Sequence, residues 1–198
     1  IVLYTTLGGF LAASTSDFIQ SCIMTVALII VLGFGIYTAG GIGQVIDNSR
    51  ELAGYLSLTH SHDQATGASS PYGFISIVST LAWGLGYFGM PHILLRFMAI
   101  DKKLKLSRRV ATVWVVISMG AAVAIGVVGL SMSKAGAVPY LEGSSASETI
   151  IIQISSLIST HGVIASLVAG LIIAGILAAT MSTSDSQLLA ASSSVSQN

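Results

Sequence analysis

The sequence predicts an all-α protein of several membrane-spanning helices, and three observations carry that reading. The 198 residues are 53% hydrophobic and only 8% charged, where soluble domains carry about 25% charged residues. The charges, eight basic and eight acidic, are separated by long uncharged gaps. One gap holds an apolar segment, Phe74 to Ile100, that has no charge until Arg96 yet contains Gly84, Gly86, Gly89 and Pro91.

The gaps place the helices. No Asp, Glu, Lys or Arg occurs from Phe18 to Ile46, from Gln64 to Leu95, from Val110 to Ser133 or from Thr149 to Ser184. Each gap holds the ~20 apolar residues that a span needs. Spans are expected at about 18–38, 74–99, 109–132 and 163–190, with the tail of another helix at 1–6. The chain opens on Ile1 and closes after a serine-rich stretch, so it reads as an internal piece of a longer membrane protein.

The second span cannot be an ordinary helix. Proline removes a backbone donor and glycine weakens helix interiors, so a break is expected between about Gly84 and Pro91. In lipid a broken backbone survives only where protein or a polar cavity surrounds it, and transporters use such breaks near the midplane to bind solutes and ions. A transport helix is the first reading.

Six of the eight basic residues, Arg96, Lys102, Lys103, Lys105, Arg108 and Arg109, lie in one short stretch. Cytoplasmic loops are enriched in Lys and Arg, which puts the 100–108 loop inside, with 7–17 and the C-terminal end. The 39–73 and 133–162 loops then face outside. The KKLKLSRR run sits between two spans and the formal net charge is zero, so it reads as a topology signal, not as a nucleic-acid surface. The single cysteine, Cys22, excludes an intrachain disulfide. In the 39–73 loop, His60, His62 and Asp63 offer three metal donors, but a solvated loop explains them better. Residues 149–160 put Ile150, Ile151, Ile154, Leu157 and Ile158 on one helical face, as in a short amphipathic helix on the outer surface.

The last span carries a second constellation. At 100° per residue, Gly175, Ala179, Ser182, Thr183 and Ser186 share one face. Small residues let a neighbouring helix approach. Hydroxyls and the carbonyls near them supply neutral oxygens suited to a small hard cation, whereas a divalent ion would call for several carboxylates and only Asp185 is near. Helix packing is the rival explanation of the stripe.

The stretches WGLGYFGMPHILLRFMA (83–99), GILAATMSTSDSQLL (175–189) and YTTLGGFLAASTSDFIQ (4–20) together resemble the sodium:solute symporter family, with its sodium/proline symporters nearest, over essentially the whole chain. The resemblance implies part of an inverted-repeat, 5+5 helix transporter core, from the end of its fifth helix through most of the ninth. It implies that Ser182 and Thr183 ligate sodium with the Ala179 carbonyl. By the same likeness Trp83, Gly86, Tyr87 and Pro91 belong to the substrate-binding helix, and Asp17 is tied to sodium release. The chain has Gly89-Met90-Pro91-His92 where proline carriers commonly read G-Q-P-H, and Thr15-Ser16-Asp17 where the family reads W-T-D.

Plainer roles stand beside these. Trp83 and Tyr87, at i and i+4, could be packing aromatics. Asp17 could cap a helix starting at Phe18. His92 reads as a structural histidine, Arg96 as snorkelling or pairing at the inner interface, and Asp185 as facing inner water.

The expected function is sodium-coupled symport of a small zwitterionic solute, first of all proline, by alternating access in the plasma (inner) membrane. Na+ is the coupling ion and the lipid bilayer the surroundings. The alternative is a membrane sensor module of a histidine kinase built on the same fold. Nothing resembles a nucleophile with a base and an orienting third group, so no enzyme is expected. The orientation has a direct test. Single cysteines at Lys103 and Ser145 should label from opposite sides of intact cells, and labelling of position 103 by an impermeant reagent from outside would overturn it.

Overall fold

Apolar segments fold as helices in a bilayer because the backbone finds no partners there except its own. The computed structural model describes residues 2–63, 66–99, 105–141 and 143–197. In chain order these form α1 (Val2–Thr38), α2 (Ile42–Arg50), β1 (His60–His62), β2 (Ser69–Pro71), α3 (Phe74–Phe88), α4 (Pro91–Met98), α5 (Lys105–Lys134), α6 (Ser144–Ser147), α7 (Ile150–Ser159) and α8 (Val163–Gln197). Thr5–Thr38, Thr112–Lys134 and Val163–Ser196 are each long and apolar enough to cross a membrane. The pair α3 and α4, bent by 56°, makes a fourth candidate.

Packing fixes the helix directions. Phe34 of α1 meets His161, just before α8, edge to face with ring centroids 5.6 Å apart. Further along, Gly175 of α8 lies so close to α1 that a β-carbon there would stand 3.2 Å from the Ala27 β-carbon. Near the other end Asp17 and Ser186 share one partner, Arg96. Helices α1 and α8 are therefore antiparallel. Helix α5 runs with α1, since Gly35 faces Val128 and Met132, and the Asn48 amide of α2 donates to the buried Ser131 hydroxyl at 3.1 Å. One end of the bundle thus gathers the ends of α1 and α5, the start of α8, and the connecting elements.

That end holds the core. Ala27, Val31, Ile125, Val128, Met132, Ile154, Ile158, Ala169 and Ile172 are buried together. Helix α7 closes it. Its apolar face buries Ile154 and Ile158, and its Ser155 hydroxyl donates to the Ala169 carbonyl at 3.0 Å in a buried site. Gly129 is required where α7 crosses α5, because a β-carbon there would lie 2.4 Å from Ile150 Cγ1. Lys134 finishes the end by donating to Glu51 at 2.9 Å and to the Asn48 carbonyl at 3.1 Å.

Several boundaries differ from the sequence expectation. The segment expected as an inner loop, 7–17, is helical, and α1 is interrupted only at Gly9, whose φ of 56° and ψ of −146° suit glycine alone. A single acidic residue ended the charge-free gap at Asp17, but one paired carboxylate does not end a helix. Asp17 is consequently no N-cap. The 39–73 segment, expected as a loop, contains α2 and a hairpin in which His60 pairs with Pro71 and His62 with Ser69. Of the basic 100–108 loop, residues 105–108 are the first turn of α5, and 100–104, with Lys102 and Lys103, lie outside the described residues. Helix α8 continues to Gln197, past the expected end at 190.

The α1–α8 seam predicts a cross-link. In a Cys22→Ala background, Ala27→Cys with Gly175→Cys should form a disulfide under mild oxidation, since the pair stands within a few tenths of an ångström of the usual Cβ separation of about 3.5–4.5 Å. Ile29→Cys with Gly175→Cys, in which Ile29 is exposed on α1, should not. Equal yields would contradict the antiparallel seam.

Candidate functional site: a cleft at the helix break

The break is narrower and later than the glycines suggest. Gly84 and Gly86 lie inside α3, which continues to Phe88; only Gly89 and Met90 separate it from α4. The N–H groups of Gly89 and Met90 bond back to the carbonyls of Gly86 and Tyr87 at 3.1 and 3.2 Å, a tightened last turn. The Met90 carbonyl then accepts from Ile93 and Leu94 at 3.0 and 3.1 Å, opening α4. Pro91 occupies the first position of α4, where its fixed φ suits a helix start and its missing N–H leaves no vacancy. Proline therefore restarts this helix, and Gly89 with Met90 makes the bend. The expected opening of the backbone across Gly84 to Gly89 is not what forms.

Around the bend the aromatics are in register. Trp83 stacks on Tyr87 with centroids 5.7 Å apart and planes 29° from parallel. Tyr87 meets His92 edge-on at 6.5 Å, spanning the break. Trp83 is 74% exposed and α3 buries none of its residues within this chain.

A cleft of about 470 Å³ lies between the residues flanking the bend and α8; Tyr87, His92, Arg96, Ser182, Thr183 and Ser186 supply its polar lining. Of the residues singled out from the sequence, the cleft unites Tyr87, Ser182 and Thr183. Trp83 is joined to it through Tyr87. Gly86, Pro91 and Ala179 supply backbone nearby and are not among its lining residues. Asp17 lies behind it, lining a cavity of about 20 Å³ with His92, Arg96 and Ser186. His92, read from sequence as structural, lines both spaces.

Arg96 sits between the two. Its Nη2 donates to a carboxylate oxygen of Asp17, to the Ser186 hydroxyl and, at 3.4 Å, to the Ser182 carbonyl. Ser186 in turn donates to the same Ser182 carbonyl at 2.8 Å. One guanidinium thus ties α4 to α1 and α8, the paired role of the two foreseen for it. The face shared by Ser182 and Ser186 was visible in the sequence; their meeting with Arg96 was not, because no local pattern joins residues so far apart. On the same helix the Thr183 hydroxyl donates to the Ala179 carbonyl at 3.2 Å. Asp185 is fully buried, not at inner water as its position near a helix end suggests.

The hairpin and its surroundings offer a different chemistry. The His62 Nδ1–H donates to the Ala53 carbonyl at 2.9 Å, and His60 bonds to Thr59 at 3.0 Å. Among the described residues no three His, Cys, Asp or Glu gather as a metal site. Burial, with nearby Tyr140 adding, pushes the Tyr55 phenol above its ordinary pKa.

The model of the sodium:solute symporter family matches residues 1–198. The chain is 33% identical over its whole length to the sodium/proline symporter of Escherichia coli K12 and 38% identical to the osmoregulated proline transporter OpuE of Bacillus subtilis. It is 38% identical, over 98% of its length, to the high-affinity proline transporter PutP of Bacillus subtilis. It spans 37–38% of the length of these relatives. No solved structure matches it.

Proposed function

This chain belongs to the sodium:solute symporter family, and we propose that it forms part of a carrier that couples sodium entry to uptake of a small zwitterionic solute, proline first, by alternating access. The observation that carries the reading is the shared cleft: Tyr87 and His92, which flank the bend, and the hydroxyl pair of α8 line one space, so ion and solute would bind within reach of the same side chains. The names of the relatives favour proline as the solute.

Sodium is a substrate here. The Ser182 and Thr183 hydroxyls and the Ala179 carbonyl are its proposed ligands. The chemistry fits: all three oxygens are neutral, and the Thr183 and Ala179 oxygens stand 3.2 Å apart. Oxygen ligands of a small hard cation, at about 2.3–2.6 Å and at right angles, stand about 3.3–3.7 Å apart. Binding would replace the Thr183 donation by two lone pairs facing the ion. Tyr87 and Trp83 would cover the solute on the α3 side. Asp17, behind the cleft, would offer a carboxylate to a departing sodium ion once the guanidinium lets go. Ion binding that favours one arrangement of the helices shifts the population toward it by its differential affinity alone.

The test uses the complete gene product in proteoliposomes with a sodium gradient and labelled proline. Ser182→Ala or Thr183→Ala should raise the sodium concentration for half-maximal uptake by about 5- to 150-fold, the equivalent of about 1–3 kcal/mol for an unmet polar partner. Solute affinity at saturating sodium should move much less. Ser184→Ala, whose hydroxyl bonds to the Thr180 carbonyl at 2.9 Å, should be nearly silent. No sodium-driven uptake, or unchanged sodium dependence in both ligand variants, would overturn the reading.

A further inference from the structure

Arginine presents five N–H donors in a rigid plane, a geometry that matches carboxylates. Among the described residues, every hydrogen bond of Arg96 is made through Nη2. The one N–H of Nε and the two of Nη1 therefore remain uncommitted, and the side chain is 46% exposed. Arg96 lines the cleft with Tyr87, Ser182 and Thr183, and among the described residues no acidic side chain lines it. The carboxylate that does reach the guanidinium, Asp17, approaches from the small cavity on the other side. A cation with spare donors, lining a cleft that no described acidic residue lines, is a site for an anionic group.

We infer that Arg96 receives the carboxylate of the transported solute. The inference rests on the reading of the cleft as a transport site and adds the group that Arg96 recognises there. Two carboxylates on one guanidinium divide its charge, so solute arriving in the cleft weakens the hold of Arg96 on Asp17. The ammonium end of the solute then points away from Arg96, toward the neutral oxygens and aromatic faces.

Equilibrium binding to the purified complete protein in sodium tests this with pairs that differ only in carboxylate against carboxamide: proline and prolinamide, alanine and alaninamide, acetate and acetamide. Wild type should prefer the acid by about 10- to 150-fold, the range for hydrogen bonds to a charged group. Arg96→Gln should reduce that preference to within about threefold. Arg96→Lys, which keeps the charge and loses the fork, should fall between and serves if the Gln variant does not assemble. Asp17→Asn, which removes the competing carboxylate, should keep the preference. If Arg96 merely braced the helices through Asp17, Arg96→Gln and Asp17→Asn would behave alike; that result, or an undiminished preference in Arg96→Gln, overturns the assignment. A wild type that ignores proline but prefers another acid over its amide contradicts the proline reading and supports Arg96. Indifference to the carboxylate in every pair overturns Arg96 whatever the protein carries.

Discussion

A single guanidinium joins two helices that line the cleft, α4 and α8, to α1 behind it. Arg96 reaches from α4 to Asp17 on α1 and to Ser182 and Ser186 on α8, while α3, the other half of the bent segment, buries nothing within this chain. The position of the bend relative to the α8 hydroxyls therefore hangs on that junction. Asp17 lies 21 residues before the end of α1 at Thr38, about 31 Å along the axis, close to the thickness of a bilayer's hydrocarbon core. A long side chain there can keep its charge near the polar boundary while its stem stays in the apolar layer.

The strength of the junction suits the opening that the proposed transport cycle calls for. The Arg96 and Asp17 side chains are 46% and 18% exposed, and partly solvated ion pairs contribute about 0–1 kcal/mol. Breaking a fully buried pair costs about 3–5 kcal/mol, which would oppose each cycle. The opposite end is built for permanence. There Ile154, Ile158, Val128 and Ile172 are buried together, Gly129 admits Ile150, and Asn48 bonds to Ser131 in a buried site. A rigid end and a loosely latched cleft at the other are the division of labour that the proposed alternating access would use.

The sequence made the helices legible because charge is expensive in lipid and its absence marks each span. It misjudged their ends for the same reason: Asp17 and Lys105 are charges that the helices carry, and a gap in charge measures apolarity, not hydrogen bonding. Gly84 and Gly86 were read as breakers by propensity, yet a bilayer leaves their backbone no alternative partner and the helix holds. The helix does break at Gly89 and Met90, whose N–H groups turn back to Gly86 and Tyr87, and Pro91 starts the next helix, where no N–H is needed. The α8 stripe was readable from periodicity. The meeting of Arg96 with Asp17 and Ser186 was not, since it depends on how α1, α4 and α8 pack.

The account turns on ion and solute sharing one cleft, and the most direct measurement is their mutual dependence at equilibrium. Binding of labelled proline to the purified complete protein, followed across sodium concentrations, should show sodium raising proline affinity. Proline should raise sodium affinity by the same factor, as linkage demands. Proline binding that is independent of sodium would contradict a shared, coupled site, whatever the two ligands did separately.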